Sequence, residues 1–386
     1  MLKELERIGK DRKMEYQRLG DYIREVNVRN RELKVTNLLG LSIEKKFIPS
    51  IANTIGTDMS VYKIVQPSQF AYVPVTSRNG DKITVALYDG KETAIISQAY
   101  TVFEITDHNV LSPEYLMMWF RRPEFDRYAR FHSHGSAREV FDWDELCNVM
   151  LPIPSIARQR EIVAEYETLT NRIRLNEQMI QRLEATAQAL YRKMFVDGVD
   201  KENLPEGWRW GMLSEVSQYV DEKIHLADVE ESVYIATENM LKDKRGIVAS
   251  INKPDEGKGT RFQTDDILIS NIRPYFKKIW RASFCGACSN DVLCFRAKNK
   301  FNASMLYYTL EQDAFFDYVM AGSNGVKMPR GDKEWIMNYP VVIPSKVDIL
   351  HYQEMTDCIR KQNVCTKQEN LKLTELQSLL LARMGK

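Results

Sequence analysis

Two stretches of this chain contain neither glycine nor proline, and in both the apolar residues recur every three or four positions. In the first, residues 156–194, they fall at Ile162, Tyr166, Leu169, Ile173, Ile180, Leu183, Ala187, Leu190 and Met194. Steps alternating between four and three residues make a heptad seam, the signature of a helix that pairs with another helix. Asn176 stands where the seam calls for an apolar side chain; one polar residue there can set register and partner at a cost in stability. Ser155, after Pro154, suits the helix start, and Gly198 in "VDG" suits its stop. At ~1.5 Å per residue the stretch makes a rod of ~58 Å.

The second stretch, Lys346–Arg383, has a poorer stripe. Tyr352, Met355, Ile359, Leu373, Leu376 and Leu380 keep the spacing, while Gln362, Thr366 and Glu369 leave its middle polar. Neither rod can bury its stripe alone. Antiparallel pairing of the two is the simplest solution, and the polar middle points to a surface that faces another protein. The alternative is two helices that each pack on their own domain.

The remaining segments change period. Residues 15–150 read as short strands and turns: "KITVALYDG" (82–90) alternates and ends in Asp-Gly, a hairpin signal, and "AIISQAYTVFEI" (94–105) is a second β-rich run. "SPEYLMMWFRRPEFDRYARF" (112–131) reads as a helix entered at Ser112-Pro113 and interrupted near Pro123. The same order returns later. "DDILISNI" (265–272) and "DVLCFRA" (291–297) are strands, and residues 303–320 are a helix. A small-residue loop follows each helix, "HSHGSAR" (132–138) and "GSNGVKMPRG" (322–331).

These similarities align without a gap. "PIPS" at 152–155 and "VIPS" at 342–345 place Ser155 and Ser345 at an offset of 190 residues. The same offset pairs Leu116 with Leu306, Phe125 with Phe315, Gly135 with Gly325, Asp142 with Asp332, Asn148 with Asn338, and Met194 with Met384. Upstream the match is looser, "YQRLGDYI" against "WRWGMLSEV". The chain is therefore two copies of one plan, each a mixed domain followed by a long helix.

Composition narrows the class without naming a function. Of 386 residues, 44% are hydrophobic and 28% charged, as in ordinary globular domains, and the length suits two or three of them. No signal peptide or membrane-length apolar run stands out. Six scattered cysteines form no disulfide framework, so a reducing, cytoplasmic setting is expected. A net charge of +1 means that any nucleic-acid surface must come from local segregation of charge.

Such segregation occurs in "SNIRPYFKKIWR" (270–281), where Arg273, Lys277, Lys278 and Arg281 interleave with Tyr275, Phe276 and Trp280 and no acid intervenes. Cations that grip phosphates beside planar side chains suit a nucleic-acid surface, although a solvated strand end reads the same way. In the first copy Arg121, Arg122, Arg127, Arg130 and Arg138 surround His132 and His134. No third ligand has recognisable spacing, so a metal is not expected. The small residues of the two loops let backbone approach a groove, from which Arg138 or Lys327 would reach a base edge or phosphate. "CGAC" (285–288), near Cys294, lacks a second pair and reads as buried strand cysteines. Neither a phosphate-binding glycine fingerprint nor an amino-methyltransferase motif is present, and the carboxylates of "KPDEGK" (253–258) are crowded into one turn. No catalytic residue and no metal site is assigned.

This arrangement resembles the specificity subunit of type I restriction–modification enzymes over essentially the whole chain. "LPIPSIARQREIVAEY" with "LNEQMIQRLEATAQALYRKMF" resembles that family's spacer helix. Residues 35–49 and 80–105 resemble the first target-recognition domain, and residues 266–280 part of the second. The second helix departs from the pattern, with Ile349 and Tyr352 where the first has Gln159 and Ile162.

The resemblance implies an α+β fold: two mixed α/β target-recognition domains, joined and separated by two long antiparallel coiled-coil helices in a pseudo-twofold repeat. The segments are then an N-terminal helical piece (1–14), domain 1 (15–154), spacer helix 1 (155–198), domain 2 (199–344) and spacer helix 2 (345–386). Each domain would read one half of a bipartite, asymmetric site in double-stranded DNA. The DNA-facing candidates are Arg78, His132, His134, Arg138, Arg273, Tyr275, Lys277, Lys278, Arg281, Asn324, Lys327 and Arg330. The helix-pairing candidates are Ile162, Tyr166, Leu169, Ile173, Asn176, Ile180, Leu183, Leu190, Met355, Ile359, Leu373, Leu376 and Leu380. The helices would act as a ruler and dock two methyltransferase subunits, which restriction subunits would join. S-adenosylmethionine, ATP and magnesium would belong to those partners. The competing readings are a coiled-coil adaptor that binds no DNA and the specificity subunit of a related type II enzyme.

Overall fold

The same three helices recur in the two halves of the chain at a constant offset of 190 residues. Pro113–Phe120, Pro123–Phe131 and Trp143–Cys147 return as Ala303–Leu310, Asp313–Ala321 and Lys333–Met337. Their starts repeat in chemistry as well: the Asp142 and Asp332 side chains accept from the backbone N–H groups of Glu145 and Trp335, a helix cap worth about 1 kcal/mol. The computed structural model describes residues 15–50, 56–77, 82–135, 138–248, 250, 252–298, 303–325 and 327–385. The 1–14 segment expected to be helical lies outside them. Two compact units emerge, residues 1–177 with 367–386 and residues 178–366, so each long helix is divided between both.

The first unit is built on a four-stranded antiparallel sheet in the order Ile23–Val26, Thr101–Ile105, Phe70–Tyr72, Val85–Leu87. Its buried face carries Phe70 and Phe103, stacked at 4.9 Å, with Phe120 of the first helix edge-on to both. Each ring of that size stabilises by roughly 1.5–3 kcal/mol when removed from water. The helical run breaks between Phe120 and Pro123, as the proline requires. Strand Tyr16–Arg18 pairs with Met150–Pro152 just before the long helix begins.

One expected hairpin does not form. Val85–Leu87 pairs with Phe70–Tyr72, whereas Ala94–Ile96 leaves for a separate sheet with Lys63–Val65. Ala94, Ile95 and Ile96 are all buried, so that run has no solvent face to offer a two-stranded ribbon. Gly90 is needed there because a β-carbon would meet the Tyr88 ring.

The second unit repeats the sheet order with Ser217–Tyr219, Val292–Ala297, Ile267–Ser270 and Ile279–Arg281. A second sheet, Lys223–His225, Lys258–Phe262, Gly286–Cys288 and Tyr234–Ile235, packs a smaller core around Phe262. The duplicated plan inferred from the turns therefore extends to strand order and pairing sense.

The long helices run from Ile156 to Phe195 and from Lys346 to Arg383. In the first unit they pair antiparallel: Val163 and Tyr166 share a core with Leu381 and Met384, and Arg172 meets Glu369 at 2.8 Å. In the second unit Ala187, Tyr191 and Phe195 pack on Ile349 and Tyr352. Along the first helix Tyr166 and Asn176 are buried, and Ile162, Leu169, Ile173, Ile180, Leu183 and Leu190 are half-buried. Along the second, Met355, Ile359, Leu373 and Leu380 are half-buried, whereas Leu376 is 48% exposed. A straight helix drifts ~20° per heptad, and Gln377 takes the inward place beside Leu376, donating to Thr170 Oγ1 at 2.7 Å.

Candidate functional site

Each sheet ends in a loop that is clamped by the loop following the helix pair, and the clamp is the same in both units. In the first, Val75 bridges Val140, Thr76 N–H donates to the Glu139 carbonyl at 3.0 Å, and Phe141 N–H donates to the Pro74 carbonyl at 2.9 Å. In the second, Ile272 bridges Arg330, Arg273 N–H donates to the Pro329 carbonyl at 2.8 Å, and Gly331 N–H donates to the Asn271 carbonyl at 3.4 Å. Glu139, Val140 and Phe141 are related to Pro329, Arg330 and Gly331 by the same 190-residue offset. The turn within each return loop depends on glycine in the left-handed region, Gly135 at φ +136° and Gly325 at φ +95°.

In the second unit this clamp brings the two segments singled out in the sequence together. Arg273 and Lys277 both adopt left-handed backbone, φ +53° and +48°, on either side of the short turn Pro274–Phe276. Such conformations cost a non-glycine residue roughly 1–2 kcal/mol each. They are held by hydrogen bonds from Arg273 N–H to Pro329 and from Phe276 N–H to the Arg273 carbonyl. Tyr275 projects from the turn, 47% exposed, with Phe276 edge-on to it and Lys242 over the Phe276 ring at 4.0 Å. Asn324 and Lys327 are exposed, and Arg330 reaches Asp291 at 3.1 Å.

Three cations of the basic stretch have partners inside the protein. Lys277 and Lys244 share the Asp313 carboxylate at 2.9 and 2.8 Å, and those bonds hold its pKa down to about 2. Lys278 donates to the Thr237 carbonyl at 2.6 Å, and burial lowers its pKa. Arg281 pairs with Asp265 at 2.9 Å and donates to Ser304 Oγ at 2.8 Å. Asp265 also receives Arg360 from the second long helix at 3.0 Å. Arg273 stands apart: no carboxylate or carbonyl among the described residues accepts from its guanidinium, and its Nε is buried without a partner.

In the first unit Arg78 lies outside the described residues. His132 Nδ1 sits 3.0 Å from Glu145 Oε2 with its ring 4.3 Å from that of Tyr128, while His134 and Arg138 are exposed on the return loop. Thr76, at the position equivalent to Arg273, is closed by hydrogen bonds to Ser133 Oγ at 3.0 Å and the Glu139 carbonyl at 3.3 Å. Of the neighbouring arginines, Arg122 lies over the Trp119 ring at 4.1 Å and Arg127 pairs with Glu124 at 3.4 Å. Among the described residues no group of three histidines, cysteines or carboxylates is placed to hold a metal ion. Cys288 and Cys294 are buried on strands, where burial pushes the Cys288 thiol up to about 12, but Cys285 is exposed rather than buried as expected.

Two structural sites were not legible as such in the sequence, where Gln159 stood out only as a mismatch with Ile349. Fully buried Gln159, in the first turn of the first long helix, accepts from Ser112 N–H at 2.8 Å and donates to the Val110 and Pro154 carbonyls at 2.7 and 2.8 Å. At the equivalent place in the second unit Ile349 is simply buried in the core. Lys45 and Asp126 form a buried ion pair at 2.7 Å, with Asp126 also accepting from Ile83 N–H at 3.1 Å. Desolvation lowers the Lys45 pKa against the pull of that carboxylate.

Comparison with known proteins points one way. No family model matches the chain. The type I restriction enzyme HindI specificity subunit of Haemophilus influenzae is 25% identical over 186 residues, 46% of this chain and 40% of that protein. The type I restriction enzyme EcoDI specificity subunit of Escherichia coli is 23% identical over 146 residues, 37% of this chain and 32% of that one. The matches thus span less than half the length of these relatives, both of them specificity subunits, as the sequence resemblance indicated. The type I restriction–modification S subunit from M. genitalium shares the fold, with a TM-score of 0.54 over 98% of each chain at 12% identity. Among the described residues no helix is long and apolar enough to cross a membrane.

Proposed function

We propose that this chain is the sequence-reading subunit of a type I restriction–modification complex, with each unit reading one half of a split site in double-stranded DNA. The observation that carries the proposal is the clamped loop pair, built identically in both units and dressed with different side chains. One backbone frame with two sets of exposed groups is what two readers of different half-sites need, because groove-edge hydrogen bonds specify sequence while a shared frame sets position. The segment boundaries given above, 15–154 and 199–344 for the recognition domains and 155–198 and 345–386 for the helices, belong to this proposal.

In this reading the long helices set the gap between half-sites and dock two methyltransferase subunits, with restriction subunits joining them. The chain itself is non-catalytic and carries no cofactor. S-adenosylmethionine, ATP and magnesium serve the partners. Phosphate contacts come from groups left exposed on the return loops, Arg138, Lys327 and His134, rather than from Lys277, Lys278 and Arg281, which already have protein acceptors.

The test is base-resolution mapping of adenine methylation in a host carrying the partner methyltransferase, with and without this gene. Loss of one split motif with a fixed gap on deletion supports the proposal. An unchanged methylome, together with duplex affinity that does not fall as salt rises, would overturn it.

A further inference from the structure

We infer that Arg273 is the base-reading residue of the second unit and that its target is a guanine in the half-site this unit reads. The inference rests on the DNA-recognition reading above and narrows it to one side chain. It begins with an elimination. Of the cations in the exposed basic stretch, Lys277 is held by Asp313, Lys278 by the Thr237 carbonyl, and Arg281 by Asp265 and Ser304. On the facing loop Arg330 is held by Asp291. Among the described residues Arg273 has no such acceptor, and its Nε is buried without a hydrogen bond; Lys327, exposed on the facing loop, presents a point charge rather than a fork of donors.

The Nε faces the interior, while the two terminal nitrogens have no partner among the described residues and are not closed off, so the outer end of the guanidinium is what a ligand would meet. The backbone repeats the message. Arg273 is held in the left-handed region by the clamp, although an arginine gains nothing locally from that conformation. Lys277 shares that conformation at the other end of the turn, so the strained turn as a whole fixes the direction in which Arg273 leaves the clamp.

The repeat supplies an internal control. Thr76 occupies the same point of the clamp in the first unit, and its hydroxyl is fully engaged with Ser133 and the Glu139 carbonyl. The frame therefore does not require an open donor there; the second unit has one because of what stands at that position. A guanidinium presents parallel N–H groups in a fixed fork, which matches the O6 and N7 acceptors of guanine in the major groove better than any other base edge. Exposed Tyr275, two residues on, and exposed Asn324 across the clamp lie on the same loop pair.

The experiment uses the full chain reconstituted with its methyltransferase partner. The methylome of the wild-type complex first gives the split motif, and its absence would sink the DNA-recognition reading itself. Methylation rates are then measured on duplexes in which each guanine of the motif is replaced in turn, for wild type, R273Q and R273K. Wild type is expected to discriminate by about 10- to 100-fold at each guanine it reads. R273Q is expected to lose that discrimination at one guanine, in one half only, and to favour adenine there, because a glutamine amide matches the adenine N6 and N7 edge. R273K is expected to keep a weakened preference for guanine. Undiminished discrimination at every guanine in R273Q would overturn the inference. So would a uniform loss of rate on all duplexes in both variants with melting temperature unchanged, since that marks a phosphate contact.

Discussion

Asn176 Nδ2 donates to Asn370 Oδ1 at 2.8 Å, with Asn176 fully buried in the seam between the two long helices. Beside it Arg172 forks onto the Glu369 carboxylate through Nε and Nη2 at 2.8 and 3.2 Å. A polar pair in an apolar seam is matched in one register and unmatched in every slipped one, so it selects alignment at some expense of stability. N176A is expected to destabilise the chain by about 1–3 kcal/mol, because the Asn370 amide loses its partner. The double variant N176L/N370L is expected to melt above N176A and at or above wild type, while its helix pairing becomes less unique. Thermal melts of wild type, N176A and the double variant check this. A double variant no more stable than N176A would refute the assigned role.

Gln159 ties the first long helix to the domain before it through three backbone groups. Q159A leaves Ser112 N–H and two carbonyls unpaired next to the core and is expected to cost about 2–4 kcal/mol. Q159I, which copies the residue of the second unit, is expected to do no better, because Ile349 is held there by apolar neighbours, whereas the three backbone groups that Gln159 serves would stay unpaired. Denaturant titration of the full chain measures both. Wild-type stability in Q159I would show that burial, not hydrogen bonding, makes the joint.

Asp313 carries a pH signature. Its folded pKa is depressed to about 2 by Lys244 and Lys277, below the ~4 expected of an unfolded aspartate. A depressed carboxylate stabilises the fold above the unfolded value and loses that contribution as pH falls through 4 towards 2. D313N is therefore expected to be slightly less stable than wild type at pH 7, the deficit kept small because the side chain is well exposed and screened, and to approach wild type as pH falls through that window. Acid titrations followed by circular dichroism decide it; superimposable curves would show that the lysine bonds do not shift the group in solution.

Much of this architecture was legible because it follows from local chemistry. Apolar spacing and the absence of glycine and proline located both helices, and the second has the bounds read from the sequence. The 190-residue offset, found from a proline turn, reappears in helix bounds, caps and clamp. What stayed hidden depends on partners distant in sequence. Asp89-Gly90 looks like a hairpin turn, yet its flanking strands belong to different sheets. The cluster of cations at 273–281 reads as one basic patch, but Asp313, Asp265 and the Thr237 carbonyl arrive from elsewhere and divide it. Gln159 keeps the seam's spacing, three residues before Ile162, but it is polar, so the apolar pattern passed over it and only its mismatch with Ile349 stood out.

The proposed ruler makes the last prediction. If the helices set the gap between half-sites, shortening both by one heptad should shorten that gap and leave the bases unchanged. Removing residues 179–185 from the first helix must be matched by a heptad from the facing part of the second, since deletion in one alone would break the pairing of Ala187 and Tyr191 with Tyr352. Seven residues at ~1.5 Å each remove ~10 Å, or about three base pairs at ~3.4 Å per step. One heptad is two turns within ~20°, so the seam keeps its facing. The methylome of a host carrying the shortened chain is expected to show both half-sites intact with a gap reduced by about three base pairs. An unaltered gap would mean that something other than these helices measures the distance, and altered bases in either half would mean that reading and spacing are not separable in this fold.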